Sequence, residues 1–271
     1  MTSSSISDVG TLFSLRGKTA LITGGAGHLG TAMSVAMASA GAHVYVNSRS
    51  TAVAESLVTD INRGGGRASA AVFDITDAAA VRQWFAGSAP AELHILINNA
   101  YAGGGGSINS APPEDFHDSY DITVVAVQRL LLAARPALDA AVATGATASI
   151  INIATMYATV SPDPANYASA GSINPPFYGA AKAALLQWTR HAACELGSSG
   201  IRVNALSPGP FPAPSVQQAD PAFIDRLEKR TPLGRIGLPA ELRGPLLFLA
   251  SDASSYVTGA NLMVDGGWTS W

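Results

Sequence analysis

The sequence predicts a single α/β domain, doubly wound around a seven-stranded, mostly parallel sheet with helices on both faces. Three observations lead there. Short, almost wholly apolar runs recur at wide intervals, as strands covered on both faces require. Patterns of helical spacing lie between them. A glycine-rich stretch, Thr23-Gly24-Gly25-Ala26-Gly27-His28-Leu29-Gly30, joins the first run to the first helical pattern.

Seven runs are read as strands: residues 18–23 (KTALIT), 43–47 (HVYVN), 68–73 (ASAAVF), 93–98 (LHILIN), 149–154 (SIINIA), 201–206 (IRVNAL) and 261–265 (NLMVD). After the first, Leu29, Met33, Ala36, Met37 and Ala40 mark one helix face, and Gly41 supplies a stop. Thr76 or Asp77 caps a helix carrying Val81, Trp84 and Phe85. Residues 121–138 and 178–196 are longer helical candidates, and 239–250 opens on a proline, which the first turn tolerates. Trp84 and Trp188 read as core, and Trp268 and Trp271 as packing at the C-terminus. Two stretches break the alternation. Residues 158–177 carry four prolines, and 209–232 open on GPFPAP before a short helical pattern. Both follow strand ends, where open α/β sheets bind ligands.

Composition excludes several function classes. The chain has 271 residues, of which 48% are hydrophobic and 13% charged. That charged share is about half the ~25% of ordinary soluble domains, which argues against disorder. Lys and Arg number 16 and Asp and Glu 19, without a basic run, so no nucleic-acid partner is expected. The apolar runs fall short of the ~18 residues of a membrane helix, so no membrane partner is expected either. The first ten residues lack the features of a secretory signal; residues 1–14 read as a flexible tail and 15–271 as the domain. The single cysteine, Cys194, among Ala192, Ala193 and Leu196, reads as a small buried helix residue. One cysteine excludes an intrachain disulfide framework and points to a reducing compartment, the cytoplasm. The histidines are scattered without metal-ligand spacing, so no metal is expected.

The 27 glycines suggest a backbone that comes close to something. In the strand–loop–helix context of residues 23–30, glycines permit a tight turn and close approach of a pyrophosphate to a helix N-terminus. Tyr178 and Lys182 are four apart and share a helix face. A neighbouring ammonium is expected to lower the phenol's pKa from ~10, making Tyr178 a usable general acid/base.

The loop resembles TGxxxGxG. Gly24 and Gly30 align, Gly27 stands one place before the pattern's middle glycine, and His28 takes that glycine's place. Asn98-Asn99-Ala100 resembles NNAG, with Tyr101 for the final glycine, and Tyr178-Gly179-Ala180-Ala181-Lys182 matches YxxxK. Ser207-Pro208-Gly209, Val257-Thr258-Gly259 and Val264-Asp265-Gly266-Gly267 follow in order. Over residues 15–268 the chain thus resembles the short-chain dehydrogenase/reductase family. The resemblance implies a Rossmann-type domain, hydride exchange between a nicotinamide dinucleotide and a carbonyl or alcohol, and a homo-oligomer, tetramer or dimer.

It also implies site residues. Gly24, Gly25, Gly27, His28, Leu29 and Gly30 face the pyrophosphate, with His28 narrowing the pocket or facing a phosphate. Asp74 and Ile75 flank the adenine, although Asp74 equally suits a helix-start turn. Asn99 and Ala100 follow the adenosine half, and Pro208, Gly209 and Phe211 border the nicotinamide. After the second strand no acid stands to bind the ribose hydroxyls. Ser48 and Arg49 stand there instead, and the guanidinium suits a 2′-phosphate, so NADP(H) is expected over NAD(H). Thr155 falls on the family's carbonyl-binding serine and Thr123 on the asparagine of its water relay. Lys182 also holds the nicotinamide ribose. Tyr157 is an alternative hydroxyl near Thr155. Thr155 and Tyr178 are 23 residues apart, roughly ten more than in typical members, and Asn166, Tyr167 and Asn174 in that insert either contact a polar substrate or hold its turns. A non-catalytic dinucleotide-binding sensor or scaffold, and a different reaction on the same fold, remain the alternatives.

Overall fold

The computed structural model describes residues 9–271. Where the sequence suggests a flexible tail to residue 14, one exposed turn, α1 (Val9–Leu12), is present; residues 1–8 of that tail lie outside the described residues. The seven strands are β1 (Thr19–Ile22), β2 (His43–Ser48), β3 (Arg67–Val72), β4 (Ile95–Asn98), β5 (Ala148–Ile153), β6 (Ile201–Pro208) and β7 (Asn261–Val264). They form one sheet in the order β3-β2-β1-β4-β5-β6-β7, and every pairing in it is parallel.

The helices are α2 (His28–Ser39), α3 (Thr51–Arg63), α4 (Ala78–Gly87), α5 (Pro113–Tyr120), α6 (Ala126–Ala143), α7 (Pro176–Leu196), α8 (Pro214–Ala219), α9 (Pro221–Arg230) and α10 (Arg243–Ala250). Successive strand residues serve opposite faces, the period-two rule of the pleat. Ile22, Ile97 and Ile151 join Met33, Met37 and Leu246 on the side of α2 and α10. Leu21, Leu96 and Ile150 join Trp84, Leu130, Leu138 and Leu196 on the side of α4, α6 and α7. Both faces being dry explains why the strands read as apolar runs rather than alternations.

Several elements differ from their sequence reading. Asp77, not Thr76, caps α4, accepting from the amides of Ala79 and Ala80. Residues 121–138 are not one regular helix: a π-turn, Asp121–Val125, precedes α6. Likewise 239–250 begins as a 3-10 turn. Helix α3, capped by Ser50, is not among the helices expected from the sequence, although Ala54, Leu57, Val58 and Ile61 form an apolar stripe along it. Cys194 is exposed, because the buried face of α7 runs through Ala192, Ala193 and Leu196 and leaves it on the outer side. Trp188 lies half-exposed and donates its indole N–H to Gln128. Trp268 is buried but Trp271 is 74% exposed, so only the first packs. Among the described residues no helix is long and apolar enough to cross a membrane, and no His/Cys/Asp/Glu group is arranged for a metal.

The order reverses at β1. From β1 the chain runs outward through β2 and β3, then returns to β4 on the other side. Connections leaving neighbouring strands in opposite directions open a crevice at their C-terminal ends. The candidate site lies there.

Candidate active site

The glycine loop is shaped by sterics. Gly24 has φ +60°, a left-handed conformation that side chains with a Cβ resist. At Gly30 an added Cβ would lie 2.1 Å from the Gly24 carbonyl oxygen. Gly27 is different: its φ of −79° is open to any residue, and it is exposed. The loop is also tethered. Asn99 Nδ2 donates to the carbonyls of Thr23 and Gly24 at 3.0 and 3.1 Å, while the amides of Asn99 and Ala100 donate to Thr23 Oγ1. Asn47 Oδ1 accepts from the Gly24 amide at 3.3 Å. The first α2 hydrogen bond runs from Thr31 to Gly27, so the amides of His28, Leu29 and Gly30 precede the helical ladder, the arrangement that binds anions. His28 Nε2 reaches the Phe211 carbonyl at 3.2 Å, linking this loop to the one after β6.

Beside the loop lies a cavity of about 410 Å³. Most of the sequence-assigned cofactor residues line it: Gly24, Gly27, His28, Leu29 and Gly30 from the loop, Ser48 and Arg49 after β2, Asp74 and Ile75 after β3, and Asn99 and Ala100 after β4. Gly25 is buried behind it. Arg49 is largely exposed, 3.8 Å from Asp74. Burial acts to raise the Asp74 carboxyl, but hydrogen bonds from Thr76 and the charges of Arg49 and Arg129 outweigh it and hold the group below its ordinary range. Asp74 therefore makes the helix-start turn and borders the cavity at once. The cavity's size, the free amides and the uncovered Gly27 fit a dinucleotide, with Arg49 and Ser48 at one end. Sequence reasoning missed Asn47 and Thr23, which shape the loop from within strand patterns that conceal them.

The catalytic candidates converge at the ends of β4 and β5. Thr155 follows β5, is buried, and accepts from the Tyr157 amide at 3.3 Å. Its hydroxyl and the Tyr178 phenol line the same cavity, and the hydroxyl acts to lower the phenol's pKa. One turn along α7, fully buried Lys182 donates from Nζ to the Ile153 carbonyl at 2.6 Å. Nζ lies 5.9 Å from the centre of the Tyr178 ring and 5.5 Å from that of Tyr101. The expected lowering of the phenol's pKa is not what results. Burial pushes Tyr178 up to about 12 despite the lowering effect of the Thr155 hydroxyl, and pushes Lys182 down to about 8. Burial sets the state of both groups, and the neighbouring Tyr101 adds to the rise at Tyr178. Tyr178 is thus a neutral phenol at pH 7, the form that gives up a proton.

Thr123 sits in the π-turn, the kind of irregularity that recurs at functional sites. It lines a cavity of about 10 Å³ with Asn98 and Lys182, roughly the space of one water. Thr123 Oγ1 and Asn98 Oδ1 are buried without a protein hydrogen-bond partner. Tyr101 was not assigned from sequence. It replaces the glycine of the NNAG pattern, and its ring centre lies 4.7 Å from that of Tyr178. Its position beside Asn99 and Ala100 was the available signal.

A second cavity, of about 330 Å³, opens on Thr155 and Tyr178. The 158–177 insert supplies one wall and the loop after β6, with Gly209 and Phe211, another; Pro208 ends β6 behind it. Tyr157 and Tyr167 pair their hydroxyls at 3.0 Å. Arg226 Nε donates to the Asn166 carbonyl at 2.8 Å and Arg230 pairs with Asp163 at 2.7 Å, fastening the insert to α9. Tyr167 and Asn174 line the cavity, whereas Asn166 is buried between the insert and α9.

A family model described as enoyl-(acyl carrier protein) reductase matches residues 24–269. The galactitol 2-dehydrogenase (L-tagatose-forming) of Cereibacter sphaeroides is 35% identical, over 97% of this chain and 100% of its own. This chain belongs to the short-chain dehydrogenase/reductase family. Gluconate 5-dehydrogenase of Gluconobacter oxydans is likewise 35% identical, over 95% of this chain and 97% of its own. A solved structure of a gluconate 5-dehydrogenase from Burkholderia cenocepacia, in complex with NADP and tartrate, superposes with a TM-score of 0.84. It is 32% identical and covers 97% of this chain and 100% of its own. As a short-chain dehydrogenase/reductase, the chain keeps the family's tyrosine and lysine and departs from its patterns at His28, Tyr101, Thr123 and Thr155.

Proposed function

We propose that the protein interconverts a carbonyl compound and its alcohol with NADP(H), preferred over NAD(H). The observation that carries this reading is the Thr155–Tyr178 hydroxyl pair at the floor of one cavity, with Lys182 buried one helical turn away toward the other. The bound dinucleotide supplies or accepts the hydride. Thr155 donates a hydrogen bond to the substrate oxygen and polarises the carbonyl. Tyr178 gives its proton to that oxygen in reduction and recovers one in oxidation. Lys182 holds the nicotinamide ribose and stabilises the phenolate that forms. Gly24 to Gly30 cradle the pyrophosphate, and Asn99, Ala100, Asp74 and Ile75 flank the adenosine. A panel of carbonyls and alcohols with both cofactors, followed by nicotinamide absorbance, tests the reading; no turnover on any member defeats it.

The cofactor preference rests on Arg49. Changing Arg49→Asp removes a charge-assisted phosphate contact and places a repelling charge there. A drop of roughly 10–100-fold in kcat/KM for NADPH is expected, with NADH unaffected or improved. An NADPH/NADH ratio that does not move in this variant counts against the assignment.

The pH profile follows from Lys182. Its amine is cationic below about 8 and neutral above, while Tyr178 keeps its proton up to about 12. In reduction, kcat/KM is therefore expected to hold from pH 6 to 7.5 and fall above about 8. Lys182→Met should be slower at every pH and lack that alkaline limb. A limb that persists in Lys182→Met assigns it to another group.

A further inference from the structure

On the reading just proposed, we infer that the substrate is an uncharged, hydroxyl-bearing ketone or secondary alcohol, and that Tyr167 of the insert binds one of its hydroxyls. The cavity of about 330 Å³ is large enough for a compound of six or so carbons. Among the described residues no lysine, arginine, histidine, aspartate or glutamate lines it. Its walls are aromatic and aliphatic, as at Met156, Ile173, Phe223 and Leu227, and its polar groups are hydroxyls, amides and backbone.

The cations nearest the insert are engaged elsewhere. Arg226 is spent on the Asn166 carbonyl, and Arg230 on Asp163 and the face of Trp268 at 5.6 Å. Lys182 lies below Tyr178, fully buried and bonded to Ile153. A carboxylate entering this cavity would lose water without gaining a counter-charge, and an ammonium would meet no acid. Discrimination of about 100-fold or more against either ion is the expected consequence.

The polar contact is a donor. Tyr157 and Tyr167 share one hydrogen bond between their hydroxyls at 3.0 Å, in which either can be the donor. One of the pair's two protons is then left to donate. Burial raises both phenols above their ordinary range, so they stay neutral. The ring of Tyr167 is fixed against Phe223, with centres 5.3 Å apart. A substrate hydroxyl accepts from this group without bringing a charge.

The test uses the cofactor-loaded protein and pairs of similar size in which one member is neutral and the other an acid: 3-oxobutanamide with 3-oxobutanoate, and a hexitol with the matching hexonate. The neutral member is expected to have at least ~100-fold higher kcat/KM. Val216 lines the cavity from α8 and is 40% exposed, so Val216→Arg can place a cation there without disturbing the core. It should narrow the ratio by about tenfold or more. Tyr167→Phe should raise KM for the hexitol roughly fivefold more than it raises KM for 2-hexanol, which has no second hydroxyl to lose. Acids turned over as well as their neutral partners overturn the proposal. Should nothing turn over, the dehydrogenase reading fails separately. Calorimetric binding of the same pairs to the loaded protein then decides the proposal: tighter binding of the neutral member supports it, and equal or tighter binding of the acid overturns it.

Discussion

Tyr178→Phe is expected to lower kcat/KM about 10³-fold, within the range for loss of a general acid/base, while NADPH affinity changes by less than about threefold. The substitution removes one oxygen from a ring that remains held against Tyr101. Thr155 stays anchored by the Tyr157 amide. The cofactor cavity is lined without Tyr178, so binding and turnover separate cleanly. Cofactor titration by fluorescence beside steady-state rates makes the comparison. Near-normal turnover would move the proton transfer to another group, with Tyr157 the next candidate.

Two glycine variants form the second large effect, and they should fail differently. At Gly30→Ala the new methyl falls 2.1 Å from a backbone oxygen of the loop's first turn. Backbone must move, so a loss of about 2–3 kcal/mol in stability is expected, together with weakened cofactor binding. At Gly27→Ala the nearest atom is 3.2 Å away and the backbone is unstrained. That contact with a backbone oxygen is tight, so stability should fall by about 1 kcal/mol or less, well short of the Gly30→Ala loss. NADPH binding should nevertheless weaken tenfold or more, because the methyl occupies the approach of the pyrophosphate. Thermal melts and titrations of both variants distinguish a glycine kept for the fold from one kept for the ligand. Equal melting losses in the two would refute that division.

Much of this site was legible because its parts are local. The glycine loop, Ser48-Arg49 and Tyr178–Lys182 are each short stretches whose spacing carries the chemistry. Strand runs were legible for a related reason: burial on both faces leaves an apolar signature without any need to know the partner strand. The π-turn before α6 was not legible, since its residues also fit a regular helical pattern, whereas α3 carries a readable stripe at Ala54, Leu57, Val58 and Ile61. Cys194 was misplaced because apolar neighbours in sequence do not share its side of a helix.

The sequence by itself determined the doubly wound architecture, the position of the glycine loop and the tyrosine–lysine pair on one helix face. Tertiary structure decided what those groups experience. It brought Tyr101 against Tyr178, placed Thr123 and Asn98 around a water-sized space beside Lys182, and turned the 158–177 insert into the wall of an uncharged cavity. It also reversed the expected direction of the Tyr178 pKa. The reason is physical. Spacing fixes which side chains share a face, whereas desolvation and counter-charge depend on every chain segment that closes over them, and those segments lie dozens of residues away.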